Sequence, residues 1–333
     1  MRFDGGVPAI RPAGAAVLVL TAALAALAAA DGPQPAEVGS PSDDGRIERL
    51  RRLHYTESHQ VSMVLLPTSV TDRRGRNVID LTKEDFRLLE DKVPQNIRYF
   101  SSEAREPISV AFVLDVSGSM RQLGKMDHAK EAIRFFVDQL RYDDRFALIC
   151  FADEQVDWVT EFTADRQRFM RRLSVQEGYG KTALNDAIAA APSLVDDGIK
   201  GRKAIVLITD GVDNSSRIGI EQAVDIARRV SVPVYSIGFL SVAENMLPKD
   251  VAAMNLEVLR FVSAETGGKL FAVHDPDELK EAVTAVDREL RHQYLLGYYP
   301  PRDKRPGGYR EIQVSTERKR LTVRTRKGYY ATP

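Results

Sequence analysis

The sequence predicts an α/β protein with a doubly wound, mainly parallel sheet and helices on both faces, joined to a small β-domain. Between Ile108 and Gln293, short runs of β-branched and aromatic residues alternate with amphipathic segments. These runs are continuously apolar, which is typical of parallel strands that are buried on both faces. On either side of this region the pattern changes to short strands and turns, and these predict the β-domain.

The α/β region is predicted over residues 106–293. Its strand-like runs are ISVAFVL, RFALICF, KAIVLIT and PVYSIGF. The helical segments between and after them are MDHAKEAIRFFVDQL, TALNDAIAAAPSLV, IEQAVDIARRV, NLEVLRFVSAETG and DELKEAVTAVDRELRHQY. One further run, QVDWVTEF, follows RFALICF after a short link. A link of this length joins antiparallel strands, so we predict an antiparallel strand at the edge of the sheet.

The two flanking β segments are predicted over residues 56–105 and 294–333. The first contains VSMVLL, FRLLE and QNIRYF, and the second contains YLLGYY, YREIQVS and RLTVRTRKGYY. Neither segment is long enough to bury a full core alone. We therefore expect the two segments to pack together beside the α/β domain, although they lie at opposite ends of the chain.

The N-terminus has the pattern of an export signal. Arg2 and Arg11 precede an apolar, alanine-rich stretch from Ala13 to Ala30. We interpret residues 1–30 as a signal peptide and residues 31–55, rich in Pro, Gly, Ser and Asp, as a flexible linker. A run of this length also fits a retained membrane anchor, which would be the only membrane contact. The expected location is the periplasm, the cell envelope or the extracellular space.

Composition limits the partners. The chain has 47 Lys+Arg and 47 Asp+Glu, so no overall charge attracts nucleic acid, and its one cysteine excludes an internal disulfide. Between Arg302 and Lys327 there are ten basic and three acidic side chains, a local charge of +7. We interpret this basic face mainly as solvated strand surface, with an envelope polyanion as the lesser alternative.

Oxygen-bearing side chains follow two of the predicted strands. Asp115, Ser117 and Ser119 come directly after ISVAFVL, and Asp210 follows KAIVLIT. A glycine loop, GYGKT, adds Thr182 at the start of a helix. In the common doubly wound order the two strands are neighbours at the switch point, where open α/β sheets bind ligands. Oxygen ligands without His or Cys favour Mg²⁺, with Mn²⁺ or Ca²⁺ as alternatives.

The five positions resemble the metal-ion-dependent adhesion site (MIDAS) of the von Willebrand factor A domain, a Rossmann-like fold. The pattern there is Asp-x-Ser-x-Ser followed by a distant Thr and Asp, which Asp115, Ser117, Ser119, Thr182 and Asp210 match in order. The resemblance implies that the two serines, and the threonine when ligand is bound, contact the metal directly. The aspartates then act mainly through water. The flanks look like exported bacterial VWFA-related proteins known mainly from Acidobacteria.

These observations predict an exported, non-catalytic module that binds a protein partner by ligating its Asp or Glu through the metal. No nucleic acid or second cofactor is expected. Two alternatives remain at this point. The first is a Mg²⁺-dependent hydrolase, although no GxSxG or HExxH pattern surrounds these residues and GYGKT lacks the earlier glycine of a phosphate loop. The second is a structural envelope protein whose metal stabilises the fold.

Overall fold

The computed structural model describes most of the chain after residue 62. The described ranges are 63–102, 105–153, 155–196, 201–210, 213–229, 232–239, 249–301 and 307–331. The predicted signal peptide and linker, residues 1–30 and 31–55, lie outside them. In the part of the chain that is described, no helix is both long and apolar enough to cross a bilayer.

Fourteen strands are present among the described residues. In chain order they are β1 (Val64–Thr71), β2 (Phe86–Glu90), β3 (Val93–Gln95), β4 (Tyr99–Ser101), β5 (Ile108–Asp115), β6 (Arg145–Ala152), β7 (Gln155–Thr163), β8 (Arg202–Thr209), β9 (Val234–Phe239), β10 (Leu270–Val273), β11 (Tyr294–Tyr298), β12 (Tyr309–Thr316), β13 (Thr322–Arg324) and β14 (Gly328–Tyr330).

Six α-helices lie within the same ranges. They are α1 (Lys125–Gln139), α2 (Arg166–Ser174), α3 (Leu184–Asp196), α4 (Ile220–Ala227), α5 (Lys249–Thr266) and α6 (Pro276–Arg291). Short 3-10 segments cover Lys83–Asp85 and Gly118–Gly124.

The start of helix α6 follows from its sequence. The Asp275 carboxylate caps the N–H groups of Asp277 and Glu278, and Pro276 occupies the first turn, where its missing N–H costs nothing.

The central sheet has six strands in the order β10-β9-β8-β5-β6-β7. Every neighbouring pair is parallel except β6 and β7, which are antiparallel. The edge strand predicted from QVDWVTEF is therefore β7. All eight residues of β5 and all six of β9 are buried, in agreement with their continuous apolar sequence.

Helices cover both faces of the central sheet. Val110, Phe112 and Leu114 of β5 share one apolar core with residues of α1, α2 and α6. Ala111 and Val113, which alternate with them, share a second core with residues of α3, α4 and α5. Alternate side chains of one strand thus serve opposite cores, as the period of a strand requires.

Strands from the two ends of the chain pair with each other. One four-stranded sheet has the order β13-β1-β11-β4 and the other has the order β14-β12-β2-β3. Strand β1 pairs antiparallel with both β11 and β13, and β2 pairs antiparallel with β12. A single apolar cluster with Leu66, Phe86, Leu296 and Ile312 contains residues of both sheets.

A buried polar cluster joins these strands to the last helix of the α/β region. Glu289 of α6 accepts hydrogen bonds from the hydroxyls of Ser69 in β1 (2.8 Å) and Tyr235 in β9 (2.6 Å). It also forms an ion pair with Arg324 of β13. Because a buried carboxylate must be compensated, the contacts of Glu289 tie three parts of the fold together.

Three of the ten basic residues of the predicted basic face form ion pairs with acidic side chains from other parts of the chain. Besides Arg324, Arg310 pairs with the fully buried Glu90 (3.2 Å), and Arg318 pairs with Asp80 (2.8 Å). The local charge of +7 counted along the sequence is therefore partly neutralised by Glu90 of β2, by Asp80 and by Glu289 of α6.

Candidate metal centre

The candidate site lies at the carboxyl ends of β5 and β8. These two strands pair in parallel register, and β6 lies on the other side of β5. The chain leaves β5 toward β6 in one direction and returns to β8 on the opposite side, which makes this point a topological switch. Asp115 ends β5 and Asp210 follows β8, and both are buried.

Asp115 braces the loop that follows its own strand. Its Oδ1 accepts the backbone N–H of Ser117 (2.8 Å), and its Oδ2 accepts the hydroxyl of Thr209 at the end of β8 (2.6 Å). Burial, and then the neighbouring charge of Asp210, raise the pKa of Asp115 to about 6, although the hydrogen bonds from Thr209 and Ser117 oppose this. Burial away from water and, second, the charge of Asp210 thus both make the ionised form of Asp115 less favourable.

A line of hydrogen bonds connects the two serines to Asp210. The hydroxyl oxygens of Ser117 and Ser119 lie 3.0 Å apart, and the Ser119 hydroxyl donates to Asp210 Oδ1 (3.0 Å). The other oxygen, Asp210 Oδ2, accepts the ammonium of Lys125 at 2.9 Å. Four of the five predicted residues are therefore linked through Asp115, its loop and these contacts.

Thr182 is held next to this loop by backbone contacts. The Gly118 N–H donates to the carbonyl of Gly180 (3.0 Å), and the Tyr179 N–H donates to the carbonyl of Val116 (2.7 Å). The glycine loop therefore rests on the loop that carries Ser117. Thr182 follows two residues later and is itself 2% exposed.

Residues that follow β8 form hydrogen bonds with the backbone of Thr182. Its N–H donates to Asn214 Oδ1 (2.8 Å), and its carbonyl accepts the N–H groups of Asn214 (3.0 Å) and Ser215 (3.1 Å). Both backbone groups of Thr182 are thus satisfied by the segment that follows Asp210. The loops that follow β5 and β8 and the glycine loop that precedes α3 converge here, which the sequence order alone could only suggest.

Three residues of this site were missed by the sequence interpretation: Thr209, Asn214 and Lys125. Thr209 and Asn214 lie within four residues of Asp210, so their hydroxyl and amide groups were candidates for supporting contacts. Helical spacing is the sequence feature that could have identified Lys125 as a buried residue. It precedes Ala129, Ala132 and Ile133 on the buried stripe of α1, a position where an apolar residue is expected.

The donor set suits a hard divalent cation. The site contains two carboxylates and several hydroxyls, and among the described residues no group of three or more His, Cys, Asp or Glu side chains could hold a metal. Zinc and softer metals prefer the nitrogen and sulfur ligands that are absent from the site's contacts. Burial and the charge of Asp210 disfavour the ionised form of Asp115, and a cation in the same pocket would favour it. The residues therefore fit Mg²⁺ or Mn²⁺.

Cys150, the single cysteine, is buried within β6. Burial, followed by the charges of Asp157 and Asp115, raises the pKa of its thiol to about 12. The thiol is therefore protonated at physiological pH and unreactive.

The fold and the site together define a class of protein: an α/β domain whose carboxylates and hydroxyls meet at the switch point of a six-stranded sheet. The family profile of the von Willebrand factor type A domain matches residues 109–285, more than half of the chain. The chain belongs to the von Willebrand factor type A family.

Relatives share only part of their length with this chain. An uncharacterized protein of Borreliella burgdorferi is 28% identical over 193 residues, which cover 52% of this chain and 56% of that protein. Inter-alpha-trypsin inhibitor heavy chain H2 of Sus scrofa is 26% identical over 161 residues, covering 43% of this chain and 17% of that protein. The chain therefore spans about half of the first relative and less than a fifth of the second.

Among solved structures, a von Willebrand factor type A protein from Catenulispora acidiphila is similar to this chain. It has a TM-score of 0.47 and 16% sequence identity, and the match covers 74% of each chain.

Proposed function

We propose that this chain is an exported, non-catalytic module that binds a protein partner through a divalent cation, Mg²⁺ or alternatively Mn²⁺ or Ca²⁺. The observation that carries the proposal is the bonded set of Asp115, Ser117, Ser119 and Asp210 at the switch point of the sheet. In this proposal residues 106–293 form the binding domain, and the segments 56–105 and 294–333 form its β support. Export rests on the leader pattern of residues 1–30.

The residues divide into ligands and supports. By the family resemblance, Ser117, Ser119 and Thr182 contact the cation directly, and Asp115 and Asp210 act mainly through water. Thr209 orients the Asp115 carboxylate through its 2.6 Å hydrogen bond. The bound cation supplies an electrophilic position to which an acidic side chain of the partner coordinates.

Charge explains why the partner should be acidic. Asp115 and Asp210 contribute two negative charges, and the positive charge of the Lys125 ammonium neutralises one of them. A divalent cation in this setting is under-neutralised, because its direct ligands are neutral hydroxyls. With a cation held there by the serine and threonine hydroxyls, a carboxylate from Asp or Glu of the partner would complete the neutralisation.

The contacts of the serine hydroxyls favour binding over catalysis. The Ser117 hydroxyl pairs with that of Ser119, and the Ser119 hydroxyl pairs with Asp210, whose other oxygen is occupied by Lys125. A serine nucleophile needs a neighbouring base that is free to take its proton and is held by a third group. Asp210 is instead neutralised by a lysine, which weakens it as a base.

The first experiment measures metal binding directly. Purified full-length protein is titrated with Mn²⁺, followed by the loss of the free-ion electron paramagnetic resonance signal, and then with Mg²⁺ in competition. We expect the double variant Ser117→Ala/Ser119→Ala to lose binding while circular dichroism shows that it remains folded. The matched control is Ser236→Ala/Ser263→Ala, which removes another buried pair of bonded serines (2.9 Å) away from the site. Equal Mn²⁺ affinity in both double variants would refute the assignment.

The second experiment tests the partner. The immobilised protein is incubated with an envelope extract in Mg²⁺ and, separately, in EDTA. The Asp115→Ala variant is incubated with the same extract in Mg²⁺. Mass spectrometry identifies the proteins that each sample captures. A partner that is lost in both EDTA and the variant supports metal-bridged adhesion. A partner that the folded serine double variant retains supports a purely structural metal. Ester or phosphoester hydrolysis that disappears in Asp115→Ala would favour the hydrolase.

A further inference from the structure

Lys125 is a buried cation in the proposed metal centre. Its residue is 8% exposed, and its ammonium lies 2.9 Å from Asp210 Oδ2. Burying an ammonium is costly unless a carboxylate compensates it. Lys125 is also the first residue of helix α1, where the helix dipole disfavours a cation. Burial and the helix dipole therefore both disfavour the charge of Lys125, and the ion pair with Asp210 compensates for these two costs.

The backbone before Lys125 is bent to place it there. In the 3-10 segment Gly118–Gly124, Gln122 is extended (ψ 143°) and Leu123 is left-handed (φ 53°), and Gly124 continues with φ 70°. A left-handed backbone is unfavourable for leucine, because its Cβ crowds the following carbonyl oxygen. Leu123 is 65% exposed, so burial of its own side chain does not offset this cost. The bend separates the serine loop from α1 and lets the helix begin at Lys125.

Lys125 changes the charge that a metal ion meets. Asp115 and Asp210 alone present two negative charges, but with the lysine the three groups carry only one. Because a fixed positive charge repels a cation at short range, Lys125 weakens the binding of the ion by itself. The same charge strengthens the binding of an anion to the metal-loaded site.

We propose that Lys125 couples the metal to the acidic ligand, so that the ion is held weakly until a carboxylate joins it. This inference rests on the proposed function, since it concerns the same metal centre. Lys125 acts through charge and through Asp210, and it is a positioning residue rather than a metal ligand. The consequence is that metal and partner are bound together and released together.

The test compares charge removal with charge retention at this position. Mn²⁺ is the metal probe, measured by electron paramagnetic resonance, and acetate is the carboxylate probe. We expect Lys125→Met to bind Mn²⁺ alone about 10- to 100-fold more tightly than wild type, as removal of a nearby unit charge implies. Lys125→Arg keeps the charge and should stay within a few-fold of wild type. The matched control is Lys130→Met, because Lys130 lies on the same helix but bonds the carbonyl of Ser174 instead.

Acetate tests the coupling itself. In wild type, a fixed, subsaturating concentration of acetate should tighten Mn²⁺ binding several-fold. In Lys125→Met the metal-loaded site attracts acetate less, so the enhancement at the same acetate concentration should be smaller. Thermal unfolding with and without Mn²⁺ checks that the variant folds, and the rise in melting temperature on adding Mn²⁺ should be larger in Lys125→Met than in wild type.

The two proposals fail in different ways. If wild type binds no Mn²⁺, the metal centre itself is wrong. If wild type binds Mn²⁺ but folded Lys125→Met binds it equally or more weakly, the coupling role is wrong and Lys125 merely holds Asp210 in place. An acetate effect of the same size in wild type and in Lys125→Met would also overturn the coupling.

Discussion

Replacing Gly180 by alanine tests how the glycine loop positions Thr182. Gly180 has a left-handed backbone (φ +65°), and its carbonyl accepts the N–H of Gly118. A Cβ on Gly180 would lie closer than 3.0 Å to all three atoms of the Asp153 carboxylate group. That carboxylate accepts the Lys181 N–H at 2.7 Å. The alanine must therefore displace either Asp153 or the loop itself.

Two terms give the expected size of the effect. The left-handed conformation costs alanine about 1 kcal/mol more than glycine. Loss of the charge-assisted hydrogen bond from Lys181 to Asp153 adds about 1.5 kcal/mol, the lower end of the usual range because Asp153 is only half-buried. Gly180→Ala should thus lower the free energy of unfolding by about 2.5 kcal/mol.

Gly75 provides the matched control. It is also left-handed (φ +73°), but a Cβ there would have no heavy atom within 4 Å. Gly75→Ala should therefore cost only the conformational term, about 1 kcal/mol. Urea unfolding of both variants in EDTA separates the two contributions, because the difference between them measures the crowding at Asp153.

Metal binding is the functional readout of the same pair. Residues that support metal ligands typically change affinity 10- to 100-fold when they are mutated. We expect Gly180→Ala to weaken Mn²⁺ binding by about 10-fold or more and Gly75→Ala to leave it unchanged. The crowding argument is refuted if the two variants lose equal stability. If Gly180→Ala is destabilised but binds Mn²⁺ normally, the loop does not position Thr182.

Two further predictions concern buried titratable groups. Burial raises the pKa of Asp144, but hydrogen bonds from Arg291, Ile108 and Arg141 outweigh it and hold the pKa below its ordinary 3.8. This stabilisation is complete above pH 3.8 and is lost as the pH falls through the lowered pKa. Asp144→Asn should cost about 3 kcal/mol at pH 7 and less in acid, measured by urea unfolding, and a cost independent of pH would contradict this. The Cys150 pKa near 12, against an ordinary 9.0, should slow iodoacetamide alkylation on the order of 1,000-fold relative to the unfolded chain, and rapid labelling of native protein would show an accessible thiol.

Local patterns were sufficient for most elements of the central domain. Continuous apolar runs predicted β5, β6, β8 and β9, and helical spacing predicted five of the six described helices. Helix α2 was missed because only Phe169 and Leu173 of its nine residues are buried. A helix with so short an apolar stripe is identified better by its cap, since Asp165 accepts the Arg168 N–H at 2.9 Å.

The sequence by itself identified the residues of the proposed metal centre. Strand ends mark where side chains emerge from a parallel sheet, so Asp115 and Asp210 were identifiable without coordinates. The Asp, Ser and Thr side chains at the predicted positions also indicated a site with only oxygen ligands. These inferences depend on local periodicity and on residue type, both of which can be read directly from the order of amino acids.

Only the tertiary structure decided which distant groups compensate each other. The lysine at the start of α1 meets Asp210, 85 residues away, and Glu289 meets Ser69, 220 residues away. A local pattern cannot select such partners, because many charged residues are equivalent until the sheets pair and the helices pack. Burial then makes an uncompensated charge too costly, and the fold brings together the groups that neutralise one another.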